Sequence, residues 1–545
     1  MSTGQLKPSG WKKLTQSYPN RDVILSILGI CEFGARIGYI GHCTAAIIHP
    51  NLATAHSEPQ LVTEDIKKEM RKGRLEHYSR AEPLPVHYTA SPLGLTDKAD
   101  GSKRRIHHLS YPPADPTSIN GGIPEHFGAI TYSTIDDAIR AIHKYGKDCH
   151  LVKRNFESAF RHIPVSPLDI PLLGFYWNRN YYAERFLPFG LRTAPYLFNF
   201  FAEVFHWILC QQFCKKGLAP EVIHYLDDFL IVIPPTQNPT THASIFGTLC
   251  STVGLSIKEA KNEEGKVASF GGVELDTSAM VVRLPMKKLE KARWIVQTAT
   301  HMSSLSLHDL QRITGYLNFV AIVVPLGRTF FRRLYNMELY FPTEGRNRRR
   351  RLSREAVRDI RWWSQLLSCA PERSIFTSQR EQVLTWSDAS STRGLGGFYL
   401  CRNQSHPEPC FAFSIPLPRH LARSREHINS QEMRAVEQVL LYWSSTWRGK
   451  QVVMHVDNRA IAHGMANRTI RGASMAILRR CMLLAAEFDL ELDARWIPTK
   501  ENVLADALSR FDYDKVTNLA PQLTCSISTL RNRGFLTYTN RDSPE

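Results

Sequence analysis

The stretch HYLDDFLIV sets two adjacent carboxylates, Asp227 and Asp228, inside an apolar run from Val222 to Ile233. Such a run with a polar pair at its middle reads as two strands meeting at a bend, a hairpin with its acids at the turn. Burying neighbouring carboxylates beside an apolar sheet is costly without a compensating cation. Taken alone, the pair reads equally as an exposed turn. A metal site of this kind wants a third carboxylate from another strand. The stretch LVKRNFESAF (Leu151–Phe160) offers the candidate position, and an amide, Asn155, stands there.

A chain of 545 residues exceeds what one core holds and predicts three or four domains. Hydrophobic residues at 43% and charged residues at 22% exclude a disordered chain. Lys and Arg number 68 against 51 Asp and Glu, and the net charge of +17 points to a polyanionic partner. The 11 cysteines form no C-x-x-C pair, and the close pair Cys210 and Cys214 falls in an apolar helical run. Neither a disulfide framework nor a zinc knuckle is expected, which fits a reducing compartment. The N-terminus lacks a basic-then-apolar leader pattern, and the run Ile24 to Ile48 is interrupted by Glu32 and Arg36. The expected location is cytoplasmic or nuclear, without a membrane partner.

Along the chain, TEDIKKEMRKGRLEHY (Thr63–Tyr78) reads as a charged helix with Thr63 as N-cap and a break near Gly73. Ser91 to Pro112 reads as a hairpin about a Lys/Asp/Gly/Ser turn. Strands alternate with helical runs from 148 to 275, and helical periodicity dominates from Lys287 to Leu367. Within the helical part, RNRRRRLSR (Arg346–Arg354) holds six arginines in nine residues. It reads as a solvated linker or helix face, or as a contact for phosphate backbones or nuclear import. A new α/β unit starts at Gln382, and the polar tail after Asp512 is expected to be partly disordered.

Six stretches, SPLGL…DGSKRRIHHLSYP, LVKRNFESAFRHIPV, LPFGLRTAPYLF, HYLDDFLIV, GLSIKEAKNEEG and FGGVELDTSAMVVRLP, follow one another in the order of reverse transcriptase motifs. Residues 20 to 345 resemble the polymerase of an LTR-type or tyrosine-recombinase retrotransposon. EFGARIGYIG and LQRITGYLNFVAIVVPLGRTFFRRLY are most like the DIRS-related, tyrosine-recombinase group. The resemblance implies an α+β multidomain fold, a right-hand polymerase of fingers, palm and thumb followed by a ribonuclease H-like α/β domain. The implied division is an N-terminal extension (1–88), fingers and palm (89–275), a thumb-like helical region (276–345), a connection with the basic run (346–381), a ribonuclease H domain (382–512) and a tail (513–545). It implies two Mg²⁺ ions per active site, with Mn²⁺ as a substitute, held in the palm at positions 155, 227 and 228. Lys98, Lys103 and Arg105 are then expected at the incoming dNTP, with Phe160 against its sugar. Phe189 and Gly190 are expected under the template-primer or nucleotide, and Lys261 near the nucleotide.

At position 155 the chain departs from the family, which has aspartate there. A neutral amide oxygen cannot balance two dications. Losing the charged ligand implies about 3–5 kcal/mol less transition-state stabilisation, an impaired polymerase step. Glu157, two residues on, shares the face of Asn155 if the strand continues.

Downstream, SDASSTRGLGG, INSQEMRAV, HVDNRAI and ENVLADALSR resemble ribonuclease H in order and spacing. The implied metal ligands are Asp388, Glu432, Asp457 and Asp506, and the loop between Pro498 and Asn502 carries TKE in place of the histidine found in some relatives. The partners implied are an RNA template, a DNA primer, dNTPs and the RNA–DNA hybrid, since copying RNA into DNA creates the substrate of a hybrid-specific nuclease. The competing readings are a nuclease that keeps its polymerase domain only as a clamp, and a non-catalytic nucleic-acid-binding relic.

Overall fold

The computed structural model describes residues 6–41, 45–79, 83–97, 101–339, 341, 348–375, 380–403, 406–417, 427–521 and 523. The fold is α+β and multidomain, as expected. The chain packs as two compact units, Met1–Val281 and Val282–Glu545. Among the described residues, no helix is long and apolar enough to cross a membrane.

A four-stranded antiparallel sheet lies at the heart of the first unit, in the order Glu263–Gly265, His150–Asn155, Asp228–Ile233, Glu221–Tyr225. The helices Ala194–Lys215 and Pro239–Val253 contribute Phe198, Phe205 and Phe246, which close an aromatic core over Phe156 and Phe229. The second helix starts where its sequence dictates. Pro239 takes the first turn, Asn238 accepts from the Thr240 N–H, and Gly254 ends the helix in a left-handed conformation. A second sheet runs Ile47–Ile48, Thr89–Ala90, Gly174–Trp177, Asn180–Glu184, Leu75–Tyr78, with the hairpin Leu93–Asp97 and Lys103–His107 beside it in the chain.

Two local expectations change in this unit. The charged helix spans Pro59–Arg71, and Thr63 lies inside it, its hydroxyl donating back to the Pro59 carbonyl. Proline fixes φ at a first-turn value and so starts the helix four residues earlier than a threonine cap would. The rest of the stretch, Leu75–Tyr78, pairs as a strand with Asn180–Glu184. The His150–Asn155 strand stops before Glu157, because Ser158 turns the chain at φ +53° and the Glu157 N–H donates to the Ser256 carbonyl. Glu157 therefore does not extend the face of Asn155.

The second unit begins with the helices Met286–Thr300, Leu307–Val320, Arg328–Glu338 and Arg354–Ser368. Part of the basic run is neither linker nor helix face: Arg349–Arg351 forms an exposed strand paired with Ser304–Ser306. A five-stranded sheet follows in the order His406–Pro416, Gly394–Asn403, Gln382–Ala389, Gln451–Val456, Glu491–Trp496. Its first three strands are antiparallel and its last three parallel. The tail differs from expectation as far as it is described. Tyr513–Leu519 is helical, and Val516, Ala520 and Leu523 are buried with Phe398 and Leu508. Val516 in the helix, with Ala520 and Leu523 just after it, suffices to dock so short a helix where the sheet already offers an apolar face.

Candidate functional site

Strand pairing assembles the first acidic centre. Asp228 lies opposite Asn155 on one side and Tyr225 on the other, with Leu226 turning the hairpin at φ +53°. The Asn155 amide donates to the Asp227 carbonyl at 3.4 Å. Alternation along His150–Asn155 puts Lys153 on the same face as Asn155. Its ammonium lies 3.8 Å from Asp228 Oδ1 and 3.1 Å from Glu263 Oε1. Burial pushes Asp228 up to about 7 despite the pull of Lys153, and Asp227 adds to the push. Asp227 is raised by burial as well. Glu263, the third acid of the cleft, is taken up by Lys153 and the Ser269 N–H. The one amide and two adjacent carboxylates left over do not fit a pair of divalent cations, which calls for an anionic donor set.

The anticipated nucleotide contacts divide. Phe160 and Phe189 pack together with ring centroids 5.2 Å apart. Gly190 sits beside them at φ +97°, where a Cβ would meet the His107 carbonyl at 2.8 Å. Lys261 ends a short turn and lines the same cleft as Asp227 and Asp228. Lys103 is paired with Glu58. The Arg105 side chain is buried. It is 5% exposed and closes a buried network, 2.7 Å from Asp65 and 3.3 Å from Glu184. Arg161 reaches the same Glu184 at 2.6 Å. The remaining Arg105 nitrogen, Nη1, is buried and has no hydrogen-bond partner among the described residues. The strand Lys103–His107 turns Arg104 the other way, its guanidinium 5.6 Å from the Phe189 ring centroid. Strand alternation from a known pairing register would have set Arg104 and Arg105 on opposite faces. Lys98 lies outside the described residues.

In the second unit, element ends bring the other acids together. Asp388 stands near the end of Gln382–Ala389, Glu432 in the second turn of Ile428–Trp443, and Asp457 just past Gln451–Val456. One carboxylate oxygen from each of these three lies within 4.8 Å of the others. Asp506, on the helix Val503–Ser509, is not among those three, and it accepts from Arg510 Nε at 2.6 Å. The Ser509 hydroxyl donates to Asp388 Oδ2 at 2.5 Å, and buried Asn502 donates to the Ser387 carbonyl at 3.0 Å, tying that helix to the strand. Neither residue stood out in the sequence, since each supports a ligand without being one. Trp496 Nε1 donates to the Asp457 carbonyl, and Arg459 lies 4.2 Å from the Trp496 ring centroid at the rim.

The electrostatics here favour a cation. Burial pushes Asp388 up to about 6, with Ser509 opposing and Asp457 and Asp506 adding to the rise. Glu432 is raised well above the carboxylate range by burial, then by Asp388 and Asp457. Its buried Oε2 atom has no hydrogen-bond partner among the described residues. Converging acids with an orphaned buried oxygen fit a divalent ion, and Asp388, Glu432 and Asp457 are the residues to hold it.

Comparison with known proteins bears on the first centre. Residues 113–275 match the family described as reverse transcriptase (RNA-dependent DNA polymerase). No curated protein matches the chain. Among solved structures, the foamy viral protease-reverse transcriptase dRH in complex with double-stranded DNA is 14% identical, with a TM-score of 0.47, covering 91% of this chain and 83% of its own. The foamy viral protease-reverse transcriptase in complex with an RNA/DNA hybrid is 14% identical, with a TM-score of 0.48, covering 89% of this chain and 62% of its own. Residues 113–275, the segment that carries Asn155, Asp227 and Asp228, are thus similar to the reverse transcriptase family.

Proposed function

We propose that the chain is a retroelement RNA-directed DNA polymerase with a ribonuclease H domain, of the DIRS-related kind, whose polymerase step is impaired at Asn155. The observation that carries this reading is the convergence of Asp388, Glu432 and Asp457 in the same chain as a reverse transcriptase family match. Polymerisation on RNA leaves a hybrid, and a hybrid-specific nuclease on the same chain removes the spent template. Bound among those acids, Mg²⁺ or Mn²⁺ supplies Lewis-acid activation for phosphodiester hydrolysis. The chain's own part is to orient. Ser509 fixes the Asp388 carboxylate, Arg510 holds Asp506, and the Asp457 carbonyl anchors the Trp496 indole. Arg459 over that indole offers a cationic, flat surface at the rim for nucleic acid.

A second reading, a nuclease or a binding relic that keeps the polymerase fold as a grip, is favoured by one observation, the amide at Asn155. A labelled RNA template annealed to a DNA primer separates the two. The proposed enzyme degrades the RNA with Mg²⁺ or Mn²⁺ and extends the primer poorly. Asn155→Asp raises extension at least ~100-fold. Asp388→Asn abolishes RNA loss. Unchanged extension in Asn155→Asp overturns the account of the amide, and hybrid binding without any RNA cleavage leaves the relic.

A further inference from the structure

We infer that the Lys153 ammonium is a built-in counter-cation of the first acidic centre, limiting that cleft to a single divalent ion. The inference deepens the polymerase reading of the cleft and rests on it. It starts from register. The His150–Asn155 strand is flanked on both sides, so that Asn155 faces Asp228 while Lys153 faces Glu263 on the other neighbour. Two-residue alternation then sets an amide and an ammonium side by side on the face that carries the acids.

Three contacts fix the ammonium. Lys153 Nζ donates to Ser269 Oγ at 2.8 Å and to Glu263 Oε1 at 3.1 Å, and lies 3.8 Å from Asp228 Oδ1. Glu263 is held in turn, its Oε2 accepting the Ser269 N–H at 2.7 Å. The lysine side chain is only 9% exposed. This cation is part of the sheet and does not sweep through solvent as a surface lysine does.

Charge then decides stoichiometry. With every group ionised, as a bound cation favours, Asp227, Asp228 and Glu263 line the cleft against Lys153 and Lys261, which leaves one formal negative charge. One divalent ion reverses that sign. A second has to enter a positive, partly desolvated site, where like charges repel strongly. An aspartate at position 155 would add one negative charge and removing the lysine would add another, so each change acts in the same direction. Lys153 is thus a positioning residue, acting on the cleft through Asp228 and Glu263.

The test measures metal directly. Mn²⁺ binding is followed by electron paramagnetic resonance in the full chain carrying Asp388→Asn and Asp457→Asn to silence the second centre. The same protein with Asp227→Asn and Asp228→Asn added gives the baseline. The parent binds one Mn²⁺ above baseline. Lys153→Met either adds a second ion or tightens binding by about tenfold, Asn155→Asp does likewise, and Lys153→Arg, which keeps the charge, changes neither. Should Lys153→Met fold poorly after orphaning Glu263, the pair Lys153→Met/Glu263→Gln keeps the cleft's net charge and is expected to bind one ion, as the parent does. Two ions in the parent, or a folded Lys153→Met protein with the parent's affinity and stoichiometry, overturns the inference. Primer extension by Asn155→Asp reports on the polymerase reading alone, whereas Mn²⁺ uptake decides this inference whichever way extension falls.

Discussion

One residue of register along Lys103–His107 separates an arginine buried in an ion network from one that lies over an aromatic ring. Leu95 pairs with Arg105, so Arg105 turns into the ion network while Arg104 turns toward Phe189. Burial alone would push the Glu184 carboxyl up, but Arg161 and Arg105 outweigh it and hold it down to about 2. The stability this provides is present above the ordinary glutamate value of 4.5 and is lost as pH falls from there toward about 2. Arg105→Ala leaves a buried carboxylate short of a partner and is expected to cost about 3–5 kcal/mol in denaturant unfolding near neutral pH. The loss should shrink as acid protonates Glu184. Arg104→Ala is expected to stay within about 0.5 kcal/mol and to weaken nucleotide binding instead, read by titration with a fluorescent dNTP. Equal destabilisation by the two variants would refute the assignment. Asp227, Asp228 and Asn155 were legible because adjacent acids in an apolar run are conspicuous. Lys103, Arg104 and Arg105 offered three basic residues in a row, and only pairing with Leu93–Asp97 tells them apart.

At the level of elements, the second centre depends on how closely the helix Val503–Ser509 approaches the strand Gly394–Asn403. Gly396 makes that approach possible. A Cβ there would lie 2.4 Å from the Ser509 nitrogen and 2.7 Å from the Ala505 carbonyl oxygen, both backbone atoms that cannot rotate away. Gly396→Ala must therefore displace the helix, and with it Asp506 and the Ser509 hydroxyl that orients Asp388. A displacement near 1 Å is expected to cost ~100-fold in RNA cleavage, with primer extension by an Asn155→Asp chain unaffected. Gly396→Ala with unimpaired cleavage would show that the helix position is slack. Strands and helices of this region were readable because its acids sit where periodic runs end. The docked helix Tyr513–Leu519 was not, since its apolar positions gain meaning only against Phe398 and Leu508. The early start of Pro59–Arg71 was obscured for a similar reason, a plausible cap at Thr63 masking the proline that begins the helix.

Over the whole molecule, the net charge of +17 has to be divided between general attraction and particular contacts. Arg349, Arg350 and Arg351 are the clearest local share, three exposed arginines on a short ribbon with Ser304–Ser306. Strand alternation points neighbouring side chains to opposite faces, yet all three are solvent-accessible, so either face of the ribbon can meet a phosphate backbone. If these residues grip nucleic acid, replacing all three with alanine removes about two to three released counterions from binding. The expected result is a shallower dependence of log affinity on log salt, by about 2–3 in slope, in fluorescence anisotropy on a labelled RNA–DNA hybrid. The effect should be the same for unrelated hybrid sequences, because phosphates carry no sequence. Asn155→Asp changes neither the slope nor the low-salt affinity if the cleft's metal chemistry is separate from the grip. An unchanged slope in the triple alanine variant would assign the ribbon's arginines to the protein's own fold, with Arg349 serving chiefly Ser304 and Asp309.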